Sequence, residues 1–554
     1  MAIGTAGALV GKVHADNDYA NHFRFEPDSL VLSRSVYVGK ALTVTIGETL
    51  PLGCVGGPNG SSVVAVPTTT PGTATDVTVP CGIASDNGEY PNLFDSHNVW
   101  NNAATDGSFG VTSPIFLDNI TTDGWLLGSL PIPSDQIVTS FSSKSELALN
   151  RSKDGKSITF MGYRGGPGCG GFPVSPTAPN LLDVSNANTP GVCDPTNPII
   201  TSSPSSPVVP TAYYRAVVEV AGNGHLTITD GNAYSGDNGR AALKAANGLY
   251  YMTGNDNSGN LSKKQLTTTP IGIDLVNATG AELLSPGGAP PVPPNIAEIG
   301  RLEIGTDKPG KDTNFRGLTI FNNTLYVSKG SGSNGVNTVY QVGSTGVLPT
   351  GTAAELATAA ITILPGFPNT AASTSTAFPF GIWFADANTL YVCDEGDGVL
   401  VTPAVSGNVA DAQSLATAGL QKWSLVNGTW TMLYVLQDGL DIGVPYSVAN
   451  YPAALNPATG GCRNITGRHN LDGTVTIYAI TSTISANGDT GADPNKLVKV
   501  RDQVSATTLP SGDGDHDRDD RLGHFVTIRA ARAGEVLRGV AFAPRDDGRG
   551  DEYR

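Results

Sequence analysis

The stretch FRGLTIFNNTLYVSKGSGSNG, residues 315–335, decides how the chain folds. A short apolar run from Leu318 to Phe321 meets Asn322-Asn323, and a second run rich in β-branched and aromatic residues follows before a Gly/Ser loop. Asparagine accepts the positive φ that a two-residue hairpin turn demands, so the segment predicts two antiparallel strands. The same pattern returns as SELALNRSKDGKSITFMGYRGG from Ser145 and GRAALKAANGLYYMTGNDNSGN from Gly239. It returns again as FGIWFADANTLYVCDEGDG from Phe380 and RNITGRHNLDGTVTIYAITST from Arg463. Turns at Asp154-Gly155, Asn247-Gly248, Asp386-Ala387-Asn388 and Asp472-Gly473 carry the residue types that tight turns favour. Further pairs, YYRAVVEVAGNGHLTITD from Tyr213 and LQKWSLVNGTWTMLYVL from Leu420, raise each repeat to about four strands.

A four-stranded antiparallel unit cannot bury both faces until neighbours stack on it, so its recurrence predicts an all-β fold, a β-propeller. Inner strands near 147, 241, 317, 381, 464 and 539 give a six-bladed propeller, or a seven-bladed one if 48–140 hides a divergent blade. RGVAFAP from Arg538 repeats the first strand but stops before its partner, while SLVLSRSVYVGKALTVTIG from Ser29 supplies strands lacking an inner partner. The two ends are expected to share one blade, closing the ring by pairing N- and C-terminal strands and removing an exposed edge. Residues 1–554 then form one domain, with Pro/Gly/Ser/Thr-rich loop insertions at about 48–80, 166–211 and 281–297.

Composition agrees. The 554 residues include 68 Gly and 38 Pro and are only 15% charged, which disfavours long helices and coiled coils. The formal charge of -16 argues against nucleic acid as a partner. No stretch approaches the roughly 18 apolar residues of a membrane span. The opening MAIGTAGALVGKVHA lacks the basic flank of a signal peptide, which leaves open whether an export signal has been removed.

The RG-L-T-x-F-x-N-x-L-Y-V pattern of Phe315–Val327 is similar to blades of the NHL and YVTN propellers, a likeness that extends loosely from about 140 to 545. More narrowly, the chain resembles exported bacterial proteins of no assigned activity. That resemblance implies a propeller in a secreted, extracellular or periplasmic setting and transfers no catalytic residue.

The six cysteines, 54, 81, 169, 193, 393 and 462, include no CxxC, so sulfur-based metal sites are not expected. Loop closure favours Cys54–Cys81 and Cys169–Cys193 as local disulfides. Blade register adds Cys393–Cys462, since Cys393 follows the second strand of one blade and Cys462 precedes the first strand of the next.

Register also directs the functional reading. Arg240, Arg316, Arg463 and Arg538 each stand at the start of an inner strand and should converge on one rim. There they could hold a small anionic or carbohydrate ligand, or a protein partner. Alternatively they clamp neighbouring blades through Glu146, Asp256, Asp394, Glu395 or Asp397. A hydrolase or lyase acting on a sugar, lactone or ester would use Asp394, Glu395 or Asp397 as acid/base groups or calcium ligands. A structural role in an extracellular assembly, including a homo-oligomer, is also compatible with the low charge. Asp513, Asp515, Asp517 and Asp519 alternate like a calcium loop, but Arg518 and His524 stand where that loop needs Gly and Glu. Any Ca2+ there would be structural. No GxSxG, HExxH or P-loop occurs.

Overall fold

The computed structural model describes residues 23–36, 112–134, 136–141, 143–164, 215–231, 233–234, 238–255, 314–330, 335–350, 359–371, 375–398, 416–451, 453, 456–485, 491–510 and 521–545. Short stretches at 49–50, 61–67, 74–80, 82–83, 101–102, 106–110, 273–277 and 297–298 are described as well. Among these residues every regular element is a β-strand.

The hairpin turns form for the reason expected. Asn322 and Asn323 both take positive φ, 45° and 55°, and so do Asn427 and Gly428, at 52° and 78°. This left-handed geometry matches the twist of the strands it joins. Each hairpin then extends by two more strands into an antiparallel meander. Among the described residues five such four-stranded sheets occur, the blades of a β-propeller arrangement. Four of them begin with the strands Gly239–Lys244, Leu318–Phe321, Pro379–Asp386 and Ala458–His469. In the fifth, the C-terminal strand Glu535–Phe542 pairs with Leu30–Val36, which leads outward to Ile115–Ile120 and Leu126–Pro131. Leu30 faces Phe542 and Val36 faces Glu535 in that pairing.

The expected count of six or seven blades is corrected at two places. The inner strand placed near 147 does not run from Ser145, because Leu147 adopts a left-handed φ of 61° and breaks it. Only Asn150–Arg151 remains, and it pairs with Ser157–Arg164. Ser157–Arg164 also takes Ile137–Ser140 alongside, within a larger sheet that includes Arg215–Ala221 and Leu226–Gly231. In 48–140, where a seventh blade was sought, the described strands up to 110 form two-stranded pairs such as Ser61–Pro67 with Ala74–Pro80, and Ile115–Ile120 and Leu126–Pro131 belong to the terminal blade. The insertion segments 166–211 and most of 281–297 lie outside the described residues.

The first strands touch from sheet to sheet, Gly239–Lys244 against Leu318–Phe321, then Pro379–Asp386, Ala458–His469 and Glu535–Phe542. At two of the arginines, Arg316 and Arg538, a following glycine permits a close backbone approach. A Cβ on Gly317 would stand 2.2 Å from the Phe380 carbonyl, and one on Gly539 2.4 Å from the Leu147 carbonyl. Any side chain there would force the inner strands apart.

Between neighbouring sheets the alternating apolar residues interlock. Leu243, Tyr251, Leu325 and Val327 join the Gly239 and Leu318 blades. Phe384, Leu390, Trp423 and Phe367 join the next pair. Tyr391, Leu436, Ile477 and Val498 join the Pro379 and Ala458 blades. Leu30, Leu32, Tyr478 and Val540 bind the Ala458 blade to the terminal one. Burial of a large side chain contributes about 1.5–3 kcal/mol each, so these wedges hold the blades together.

Candidate functional site

Arg240 and Arg316 stand at or just before the starts of their first strands, Gly239–Lys244 and Leu318–Phe321, whereas Arg463 and Arg538, expected at strand starts too, stand inside Ala458–His469 and Glu535–Phe542; each is only 4% exposed. Every one reaches across to a neighbouring element. Arg240 donates to the Phe315 carbonyl at 2.9 Å and to Asn314. Arg316 donates to Ser145 Oγ and sits over the Phe380 ring, 5.7 Å from its centroid. Arg463 Nε donates to Glu395 Oε2 at 3.0 Å. Arg538 donates to Ser35 Oγ at 3.3 Å and to the Phe141 and Ser143 carbonyls.

Several of these contacts meet on residues 143–147, a segment the sequence reading took as the start of an inner strand, with Glu146 as a possible partner of the arginines. Ser143 Oγ accepts from Asn238 at 2.9 Å, Lys144 Nζ lies 3.3 Å from Glu395 Oε1, and the Leu147 carbonyl accepts from Ser33 Oγ at 2.7 Å. Leu147, left-handed, breaks the expected strand, and the stretch before it contacts residues of several sheets or their loops, Asn238, Arg316 and Glu395. The sequence reading named Glu146 there but neither Ser143 nor Lys144, which lie in the polar run FSSKSE from Phe141. Of the rim cations, Lys144 carries a side chain still 17% exposed.

The carboxylates occupy two environments. Burial alone would raise the Glu395 carboxyl, but Lys144, Arg463 and Arg316 outweigh it and hold the group down at about 2. Asp394 is completely buried, and desolvation, with repulsion from Glu395, pushes its carboxyl up to about 7. This happens although the Phe378 and Gly396 N–H groups, each at 2.9 Å, and Gln421 Nε2 at 3.0 Å donate to it. Glu146 is likewise pushed up by burial, against hydrogen bonds from Tyr163, Ser140 and Thr139 and the charge of Arg538. Asp397 follows on the same loop, half-buried.

These shifts give a pH profile of definite sign. Asp394 titrates higher folded than unfolded, so its contribution declines as pH rises from about 3.8 to about 7. Glu395 titrates lower folded, so its contribution is lost as pH falls from about 4.5 towards about 2. Urea unfolding followed over this range should therefore show greatest stability in mild acid. Asp394→Asn should flatten the decline between about 4 and 7 while leaving the acid limb. A wild-type stability that rises steadily across that interval would contradict the assignment.

Cys393 and Cys462 are joined in a disulfide, with Cα atoms 5.1 Å apart, stapling the second strand of the Pro379 blade to the first strand of the next. The pairs proposed for Cys54, Cys81, Cys169 and Cys193 lie outside the described residues, as do Asp256 and the calcium-like Asp513, Asp515, Asp517 and Asp519. Among the described residues no cluster of three His, Cys, Asp or Glu side chains could hold a metal ion. No helix there is long and apolar enough to cross a membrane.

No protein-family model matches the chain, so the NHL and YVTN likeness rests on the hairpin pattern alone. No curated protein matches it either. Among solved structures it is similar to a glucose dehydrogenase at 12% identity and a TM-score of 0.33, covering 70% of this chain and 92% of that one. A second glucose dehydrogenase structure gives 11% and 0.32 with the same coverage. PorZ, a bacterial surface component of the type-IX secretion system of Porphyromonas gingivalis, gives 9% and 0.26, covering 78% of this chain and 60% of PorZ. At these TM-scores none of the three carries an activity or a partner across.

Proposed function

We propose that this chain is an exported recognition propeller, its ring closed by pairing of the terminal strands, that binds an anionic ligand or an acidic partner on the rim bearing the arginines. One observation supports the reading: on a protein of net charge -16, Lys144 and Arg463 both pair with Glu395, while Arg316 and Arg538 donate to Ser145 and Ser143 on either side of Lys144; Arg240 is counted with them as part of the proposal. Of the carboxylates near them, Glu395 stays charged and Asp397 is half-buried, while burial biases Asp394 and Glu146 towards neutrality, so the cations outnumber the acids. The local potential is therefore positive, and an anion is drawn to it against the overall field. In this reading the arginines order the 143–147 segment, and Lys144 is the cation that meets the ligand. The disulfide supports export, since such bonds persist in oxidising compartments.

Calorimetric titration with a sulfated disaccharide tests this. Lys144→Glu should weaken binding at least tenfold, Lys144→Arg should preserve it, and added salt should reduce the wild-type affinity. Affinity indifferent to both the Lys144 charge and salt would overturn the reading.

A further inference from the structure

Four Asn-Gly pairs lie among the described residues, beginning at Asn223, Asn238, Asn247 and Asn427. Such a pair is chemically labile, because the glycine nitrogen, with no side chain beside it, can attack the asparagine Cγ. Whether it does depends on what holds the two groups. A hydrogen bond to either must open before the atoms can meet.

At three of the pairs the fold restrains the reacting groups. Asn223 Oδ1 accepts from the His225 N–H at 3.1 Å, and the Gly224 N–H donates to the Ala221 carbonyl at 2.9 Å. Asn247 Oδ1 accepts from the Leu249 N–H and its Nδ2 donates to the Tyr251 hydroxyl, both at 3.1 Å, while the Gly248 N–H donates to the Ala245 carbonyl at 3.1 Å. Asn238 is buried, its Nδ2 donates to Ser143 Oγ at 2.9 Å, and Gly239 belongs to the strand Gly239–Lys244.

Asn427 differs. Asn427, Gly428 and Thr429 are all exposed, and among the described residues neither the Asn427 side chain nor the Gly428 N–H makes a hydrogen bond. The turn is anchored at its ends by the pairing of Val426 with Thr429, which leaves rotation about the Asn427 Cα–C bond to bring the Gly428 nitrogen to Cγ. We propose that Asn427 is a site of spontaneous deamidation, selected by the fold over the other three described pairs. The Gly428 nitrogen gives up its proton and bonds to Asn427 Cγ, the Cγ–Nδ2 bond breaks, and ammonia leaves with that proton, closing a succinimide ring. Water then opens either carbonyl of the ring to leave aspartate or isoaspartate. Asp394 pairs with Gly419 at the start of the strand Gly419–Val426, so the added carboxylate stands at the far end of that strand from Glu395.

Peptide mapping by mass spectrometry tests the proposal, since deamidation adds about 1 Da at the modified asparagine. The whole chain is held at mildly alkaline pH, once folded and once unfolded in urea with reductant, and each of the four pairs is followed with time. In the folded chain Asn427 should deamidate at least fivefold faster than Asn223, Asn238 or Asn247. In urea, where the restraining hydrogen bonds are gone, the four should react at similar rates. A folded chain in which Asn427 does not lead, or a fivefold lead that persists in urea, would each overturn it.

Discussion

Asp502→Ala is expected to lower the unfolding free energy by about 3–5 kcal/mol, the largest effect of any single substitution considered. Lys422 and Asp502 form an ion pair at 3.1 Å between adjacent blades, with side chains 1% and 0% exposed. Tyr391 donates to Asp502 at 2.5 Å and Tyr434 at 2.9 Å, while Lys422 also donates to the Gln503 and Ala506 carbonyls at 2.6 and 3.0 Å. Removing the carboxylate strands the ammonium, whose pKa burial already lowers despite Asp502, and removes the acceptor for both phenols. Replacing both partners, as Lys422→Met with Asp502→Leu, should recover much of the loss, since a buried pair exchanged for apolar residues is often near neutral. Urea denaturation at neutral pH reads both variants. A loss below about 1 kcal/mol for Asp502→Ala, the range of exposed pairs, would mean that water reaches this site.

Loss of the Cys393–Cys462 bridge should cost nearly as much. The cysteines are 69 residues apart in sequence, and the chain-entropy account assigns about 4 kcal/mol to closing a loop of that size. Both are fully buried, so the double Ala variant is the cleaner probe, because serines would add buried hydroxyls. Comparison of its urea midpoint with that of the oxidised wild type should show the drop, and in reductant the wild type and the variant should share one midpoint. Equal midpoints would show that contacts between the two blades already restrict the unfolded chain.

What the sequence made legible follows from how locally each feature is encoded. A hairpin is written in four or five consecutive residues, so the turns at Asn322-Asn323 and Asn427-Gly428 and the strands around them could be read directly. The Cys393–Cys462 pairing followed from register, because hairpins of one kind place equivalent positions on one face. The glycine after Arg316 and Arg538 was visible as pattern, but its cause at Gly317, the approach of the Phe380 carbonyl, belongs to a neighbouring blade. The blade count failed at Leu147, a residue type that gives no warning of positive φ. With it went any view of Lys144 and Ser145 lying against Glu395 and Arg316. Lys422 left a fainter trace, the one charged residue in the strand LQKWSLV of Leu420–Val426, yet Asp502 is 80 positions away and nothing local joins them.

Amide hydrogen exchange of the whole chain with and without a sulfated disaccharide tests the central claim most directly. The account predicts added protection in 139–147 and 394–397, where Lys144 and Glu395 meet, and unchanged exchange in outer strands such as Leu126–Pro131. Protection confined to other surfaces, or none at saturating ligand, would contradict it.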